Sequence, residues 1–117
     1  MLHIATLCIV DRMRGQLLRG HLETLLLACL QDGAAHGYEL MQRLHERSAG
    51  AFDLPEGTIY PVLRRLEGGG HVSSKWESPQ GRKRRVYTLT ATGRRHLKKQ
   101  REEWNGFVLA IDGVFGP

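Results

Sequence analysis

The sequence predicts a mainly α-helical fold with one small β-hairpin and a long C-terminal helix. Up to residue 70, apolar residues recur every three or four positions, which is the periodicity of amphipathic helices. From residue 72 to residue 89 the apolar residues alternate instead, as they do in two strands joined by a turn. Helical spacing returns from residue 91 onward. Three short helices, a hairpin and one long helix are therefore expected in this order.

Length and charge restrict the class of protein. The 117 residues suffice for one domain with a small core, and the net charge of +5 favours a polyanionic partner. The six histidines and two cysteines do not follow the spacings of metal sites, so neither a metal nor another cofactor is predicted. Without a secretion signal or an apolar run of roughly 20 residues, the chain is expected to be cytoplasmic and to stay out of membranes.

The N-terminal part is interpreted as an extension followed by a first helix. Residues 1–14 form the extension, because Met13 opens a segment that reads like a natural start. The helix is predicted from Gly15 to Gln31, with Asp32-Gly33 as its stop. Its apolar face is broad enough to cover both the core and a second surface, and consists of Leu18, Leu22, Leu25, Leu26 and Cys29.

A second helix is predicted from His36 to Arg47, with Leu40, Met41 and Leu44 facing inward. Tyr38 lies in its first turn, and its position allows two interpretations. The phenol could contact a phosphate group of a partner, or it could pack in the core with its hydroxyl group hydrogen-bonded. The sequence leaves both open.

The third helix lies within residues 54–67 and has two contrasting faces. Apolar residues at helical spacing form one face, namely Ile59, Val62, Leu63 and Leu66. Hydrogen-bond donors form the other, namely Thr58, Tyr60, Arg64 and Arg65. A proline removes one helical hydrogen bond unless it lies in the first turn of the helix. Because Pro61 is therefore expected in the first turn, the helix should start near Gly57 or Thr58. The pattern suits the recognition helix of a helix-turn-helix, although an ordinary amphipathic surface helix would share it.

The alternating segments predict a hairpin with a basic tip. Residues 78–81, Ser-Pro-Gln-Gly, have strong turn chemistry, and four cations follow them at once: Arg82, Lys83, Arg84 and Arg85. Residues 78–101 contain no acidic residue but nine of the 17 lysines and arginines. Such an imbalance attracts phosphate groups through counterion release. The hairpin is therefore interpreted as the wing of a winged helix, while a merely solubilising surface is the alternative.

The last helix is predicted from Ala91 to Val114, with Thr90 as its N-cap. Along it runs a seam at alternating steps of three and four residues, made of Leu97, Trp104, Val108, Ile111 and Phe115. Arg101 interrupts the seam, and the later half is wholly apolar. Because a chain this small cannot cover that half by itself, homodimerisation through the seam is predicted.

Trp104 is the residue of the seam with two possible roles. It could face its own copy across a twofold axis, with Phe107 and Val108 on its flanks. The two indole rings would then form a slot for a planar aromatic ligand. It could equally fill the seam by packing, which leaves no cavity. The sequence does not decide between the two.

In this order, the segments resemble the PadR family of bacterial transcriptional regulators. The resemblance covers about residues 15–115 and rests on the runs AHGYEL, EGTIYP with RLE, GRKRRVY and LTATGR, at residues 35–40, 56–61, 65–67, 81–87 and 89–94. One run alone is weak evidence, whereas their combination in one order is specific. The sequence departs from the family before Met13 and at Val86, where the family often has an aromatic residue.

The resemblance implies a dimeric winged helix-turn-helix repressor, with residues 15–90 as the DNA-binding domain and residues 91–117 as the dimerisation helix. Short members of the family have such a single last helix, and some bind flat aromatic compounds at the dimer interface. The implied function is repression from a palindromic operator on double-stranded DNA. Release by an aromatic effector is one option, since other short members have no known effector. The expected DNA-binding residues are Tyr38, Thr58, Tyr60, Arg64, Arg65, Arg82, Lys83, Arg84 and Arg85.

A winged-helix module that docks an acidic protein partner is the alternative function, since the same basic face would serve it. An enzyme is not expected. The sequence contains neither a nucleophile paired with a base nor a pair of carboxylates in a predicted pocket.

Overall fold

The computed structural model of the protein describes residues 19–117. The predicted extension 1–14, the start of the first helix and Leu18 lie outside the described residues. Apart from a short additional strand, β1, the elements follow the predicted order. They are α1 (Arg19–Cys29) with a 3-10 turn (Leu30–Asp32), β1 (Ala35–His36), α2 (Gly37–Arg47), α3 (Glu56–Gly68), β2 (Val72–Glu77), β3 (Arg84–Leu89) and α4 (Ala91–Phe115). The predicted fold class is confirmed. Among these residues, no helix combines the length and apolar character that a membrane crossing requires.

Helix α1 ends at Cys29, two residues before the predicted Gln31, and the 3-10 turn continues to Asp32, so the predicted stop at Gly33 is confirmed. Gly33 has a φ of 130°, a conformation that L side chains rarely adopt, so the chain turns away here. Arg43 of α2 donates to the carbonyl oxygens of Cys29 and Gly33, at 3.0 and 2.8 Å. These bonds satisfy carbonyl groups that a helix end leaves without partners. The broad apolar face is also confirmed, since Leu26 and Leu27 are both fully buried.

Helix α2 begins one residue later than predicted, because His36 is its N-cap rather than its first residue. The imidazole Nδ1 of His36 accepts from the backbone N–H of Glu39, and the Glu39 carboxylate accepts in return from the backbone N–H of His36. This capping box satisfies two backbone donors of the first turn. The inward positions of Leu40 and Leu44 are confirmed.

Helix α3 begins at Glu56, earlier than the predicted start at Gly57 or Thr58, so Pro61 lies in its second turn. The proline ring removes one helical hydrogen bond, which would have joined residue 61 to the carbonyl oxygen of Gly57. Gly57 is exposed, so water can satisfy that oxygen. The predicted apolar stripe is confirmed, because Ile59, Val62, Leu63 and Leu66 are all buried.

The strands form one antiparallel sheet in the order β1-β3-β2. Strands β2 and β3 pair from Val72 opposite Leu89 to Glu77 opposite Arg84, which confirms the predicted hairpin. Strand β1 was not predicted. It pairs only Ala35 and His36 with β3, and two residues are too few to show alternation.

Helix α4 starts as predicted, because the Oγ1 atom of Thr90 accepts from the backbone N–H of Gly93 at 2.9 Å. A Cβ atom at residue 93 would lie 2.0 Å from the carbonyl oxygen of His71, so only glycine permits this packing. The helix continues through Gly113 to Phe115, past the predicted end at Val114.

The predicted seam needs one correction, at Leu97. Its side chain is 1% exposed and belongs to the core of its own chain, so it offers no apolar surface to a partner. From Arg101 onward, by contrast, every residue of α4 is exposed. The domain therefore leaves the C-terminal part of α4 largely uncovered.

Candidate nucleic-acid interface

The outer face of α3 presents Thr58 and Arg64, whose side chains are exposed on the side away from the buried stripe. A hydroxyl group and a guanidinium group on one exposed helix face can donate hydrogen bonds to base edges or phosphate oxygens. This agrees with the predicted position of both residues.

Tyr60 does not share that face, which corrects the predicted pattern. Its ring is half-buried against the core, and its hydroxyl group donates to Oε2 of Glu56 at 3.2 Å. Burial, followed by this hydrogen bond, raises the pKa of the Tyr60 phenol, so the group stays neutral and donating. In this structure Tyr60 is a packing residue between helices.

Arg65 also has a partner inside the chain. Its Nε atom donates to Oε1 of Glu23 in α1, at 3.2 Å. The guanidinium group is directed toward α1 rather than away from the domain. The pair is largely exposed, so its contribution to stability is small.

Tyr38 is 46% exposed, which does not support packing in the core. Its ring stacks at 6.5 Å, centroid to centroid, on the ring of His36, two residues earlier. Tyr38 therefore lies exposed in the first turn of α2. Contact with a phosphate group remains a prediction.

The cations of the wing, defined as residues 72–89, differ in their exposure and in their contacts within the chain. Arg82, Lys83 and Arg84 are exposed beyond the turn, in which Gln80 and Gly81 both have a positive φ. Three exposed cations at a hairpin tip are available to an anionic partner. Arg85, the fourth predicted contact, is only half-exposed and has partners within the chain.

Three side chains connect the end of α3 with the wing, and we refer to them as the α3–wing network: Glu67, Ser74 and Arg85. The Nε atom of Arg85 donates to Oγ of Ser74 at 2.7 Å, and the Ser74 hydroxyl group donates to the carboxylate of Glu67. The Nη2 atom of Arg85 also lies 3.7 Å from Oε1 of Glu67. The network holds the wing against α3.

Sequence reasoning did not identify Glu67, Ser74 or Trp76 as parts of this site. The sequence did indicate that Ser74 and Trp76 share one face of β2, because side chains alternate along a strand. The register that brings Arg85 opposite Trp76 follows only from the strand pairing.

The predicted aromatic site on α4 is exposed in the single chain. Trp104 is 46% and Phe107 55% exposed, and their ring centroids are 5.9 Å apart. The rings of His21 in α1 and Trp104 also meet edge to face, with their centroids 4.9 Å apart. No pattern in the sequence indicates this contact between α1 and α4, which fixes one side of the indole.

Comparison with known proteins places this geometry among transcriptional regulators. Residues 26–99 match the model of the transcriptional regulator PadR-like family. A transcriptional regulator of Mycobacterium tuberculosis is 40% identical over 70 residues, which cover 60% of this chain and 63% of that protein.

Solved structures agree with this match. The crystal structure of a PadR family transcriptional regulator from Eggerthella lenta is similar with a TM-score of 0.79 and 29% identity, over 96% of each chain. A PadR family regulator from Clostridium difficile gives a TM-score of 0.72 at 28% identity, over 82% of this chain and 99% of that one.

Proposed function

The chain belongs to the PadR-like family of transcriptional regulators, and from this premise we propose that it is a repressor that binds a palindromic operator as a homodimer. The single observation that carries the proposal is the arrangement of α3 beside the wing. The exposed donors of α3 and the exposed cations of the wing tip lie on elements that the α3–wing network holds together.

Each part of this surface has its own task. Thr58 and Arg64 of α3 contact base edges in the major groove, which discriminates between sequences. Arg82, Lys83 and Arg84 of the wing contact phosphate oxygens, which supplies affinity without discrimination. Tyr38 is a further direct contact. Its phenol lies near the start of α2 and contacts a phosphate group of the DNA from there.

The remaining predicted contacts act mainly by positioning. Tyr60 packs against α2, Arg65 pairs with Glu23, and Arg85 pairs with Glu67. Moving any of these side chains to DNA would break a contact that orients α3 or the wing. Their substitution is therefore expected to act through the geometry of the surface.

Homodimerisation is supported by the exposed apolar side chains of α4. Trp104, Val108, Ile111 and Phe115 recur at seam spacing and are all exposed in the single chain. Apolar surface of this extent on one helix marks an interaction site, and a symmetric pair of such helices covers it in the simplest way. A dimer also matches the two half-sites of a palindrome.

The proposed function includes release from the operator by an aromatic effector. Trp104, Phe107 and Val108 would form its site at the dimer interface, with the indole held on one side by His21. A ligand there releases the operator only if it binds more tightly to a dimer with a different separation of the two α3 helices.

A mobility-shift assay with the DNA upstream of the protein's own gene tests the proposal. We expect retardation that persists in excess unrelated competitor DNA. Binding that the competitor abolishes would contradict sequence-specific recognition. A protein that retards no DNA, but is captured by an acidic peptide or protein, would instead be a winged-helix module for an acidic partner.

A further inference from the structure

Trp76 is an exposed aromatic residue in the middle of the basic wing. Its side chain is 62% exposed, although a tryptophan has one of the largest apolar surfaces of any residue. Among residues 72–89 the only acidic residue is Glu77, whereas five are lysine or arginine. A partner of this surface must therefore be anionic and must also present a flat or apolar face to the ring.

The indole is held in place before any partner binds. The guanidinium carbon of Arg85 lies 5.3 Å from the ring centroid of Trp76, in a cation–π contact. Arg85 is itself held by Ser74 and Glu67. Because the ring is pre-oriented, contact with a partner costs little side-chain entropy.

The position of the ring follows from the strand pairing. Ser74 lies opposite Tyr87 and Trp76 lies opposite Arg85, so these four side chains share one face of the sheet. Helix α3 covers that face at Ser74, through Glu67. Trp76 is two residues further along the strand, about 7 Å away, and lies between α3 and the exposed wing tip.

We propose that the indole of Trp76 packs against the sugar–phosphate backbone of bound DNA, between the groove that α3 occupies and the phosphates that the wing tip contacts. The inference rests on the proposed DNA-binding function. The network links this wing face to the end of α3, so a DNA strand that borders the groove occupied by α3 would lie beside Trp76. Deoxyribose offers an apolar face to the ring, and the phosphates on either side of it match the surrounding cations. Arg85 is then a positioning residue, since it acts through the ring.

The contact has a distinctive signature in binding data. Trp76→Ala removes an aromatic contact without removing a charge, so affinity should fall about fivefold to thirtyfold while the dependence on salt concentration stays unchanged. The reduction should be equal for operator and unrelated duplexes, because the backbone is the same in both. Arg82→Ala is the matched comparison and should lower the slope of log affinity against log salt by about one.

Hydroxyl-radical oxidation of the full-length protein, read by mass spectrometry, tests the contact directly. We expect the oxidation rate of Trp76 to fall on adding the upstream duplex, because bound DNA would cover a ring that is 62% exposed without it. Trp104 on α4 serves as internal reference at protein concentrations where the dimer has already formed, and should then keep its rate. Arg85→Lys, which retains the charge, should weaken binding and leave Trp76 less protected.

The outcomes separate this inference from the proposed function. DNA binding by the wild-type protein with an unchanged oxidation rate at Trp76 would overturn the inference and leave the function standing. Absence of DNA binding by the wild-type protein would overturn both. Protection of Trp76 that rises with protein concentration in the absence of DNA would assign the ring to a contact between copies of the chain, and would also overturn the inference.

Discussion

The phenol ring of Tyr60 lies directly against the backbone of Gly37. A Cβ atom at residue 37 would be 2.7 Å from Cζ of Tyr60 and 2.8 Å from its hydroxyl oxygen, so any side chain there would require the Tyr60 ring to shift. This contact joins the first turn of α2 to the second turn of α3. The angle at which α3 is presented therefore depends on a glycine outside the recognition helix.

Gly37→Ala should destabilise the protein by about 1–3 kcal/mol, the usual cost of overpacking a site that cannot relax freely. Urea unfolding measures the destabilisation as a lower midpoint. Gly57→Ala in α3 is the matched control, because a Cβ there meets nothing within 4 Å. That control should be neutral or should stabilise α3 by up to about 1 kcal/mol. Equal midpoints for the two variants would show that the Tyr60 contact does not constrain residue 37.

Neutralising Arg82, Lys83 and Arg84 together should weaken binding to all duplexes similarly and lower the salt slope by up to about three. The reason is that each side chain is exposed and, in the proposed complex, contacts a phosphate group rather than a base. Titration of operator and unrelated duplexes at several salt concentrations provides both quantities. A triple variant with the wild-type slope would remove the wing from the interface.

Thr58→Ala and Arg64→Ala should each weaken operator binding by roughly 1–3 kcal/mol for every base edge that the side chain recognises, and should relax the preference at particular positions of the operator. Binding to a panel of operators with single base-pair changes measures this effect. The outcome that contradicts the assignment is a uniform weakening across the panel, which would make these residues phosphate contacts.

The elements of the fold could be predicted because their signals are local. The buried stripe of α3 appears as a three- and four-residue spacing, and the turn of the wing as Ser-Pro-Gln-Gly, each within a few residues. Strand β1 could not be predicted, since two residues show no period.

The roles of individual site residues depended on partners distant in the sequence. Tyr60 shares the spacing of the outer face, but its ring fits the space that Gly37 leaves, 23 positions earlier. Arg85 follows three exposed cations, yet Ser74 and Glu67 hold it. Leu97 fits the seam, but a periodicity does not show whether the neighbouring surface belongs to the same chain.

Ile111→Glu combined with Phe115→Glu should convert the proposed dimer into a folded monomer, because both side chains are exposed in the single chain and lie on the seam. Sedimentation velocity measures the change, and binding to a full operator should weaken because the two half-sites are no longer linked. Leu109→Glu alters an exposed apolar residue away from the seam and should remain dimeric. A double variant that stays dimeric would place the interface elsewhere.

Hydroxyl-radical footprinting of the DNA upstream of the gene tests most directly whether a symmetric dimer reads sequence through α3. Two α3 helices related by a twofold axis should protect two half-sites of a palindrome, with centres about 34–36 Å apart or a multiple of that distance. Arg64→Ala should give no footprint at concentrations where the wild-type protein gives one. Uniform protection along the DNA, with no palindromic half-sites, would contradict the claim that α3 reads sequence in a symmetric dimer.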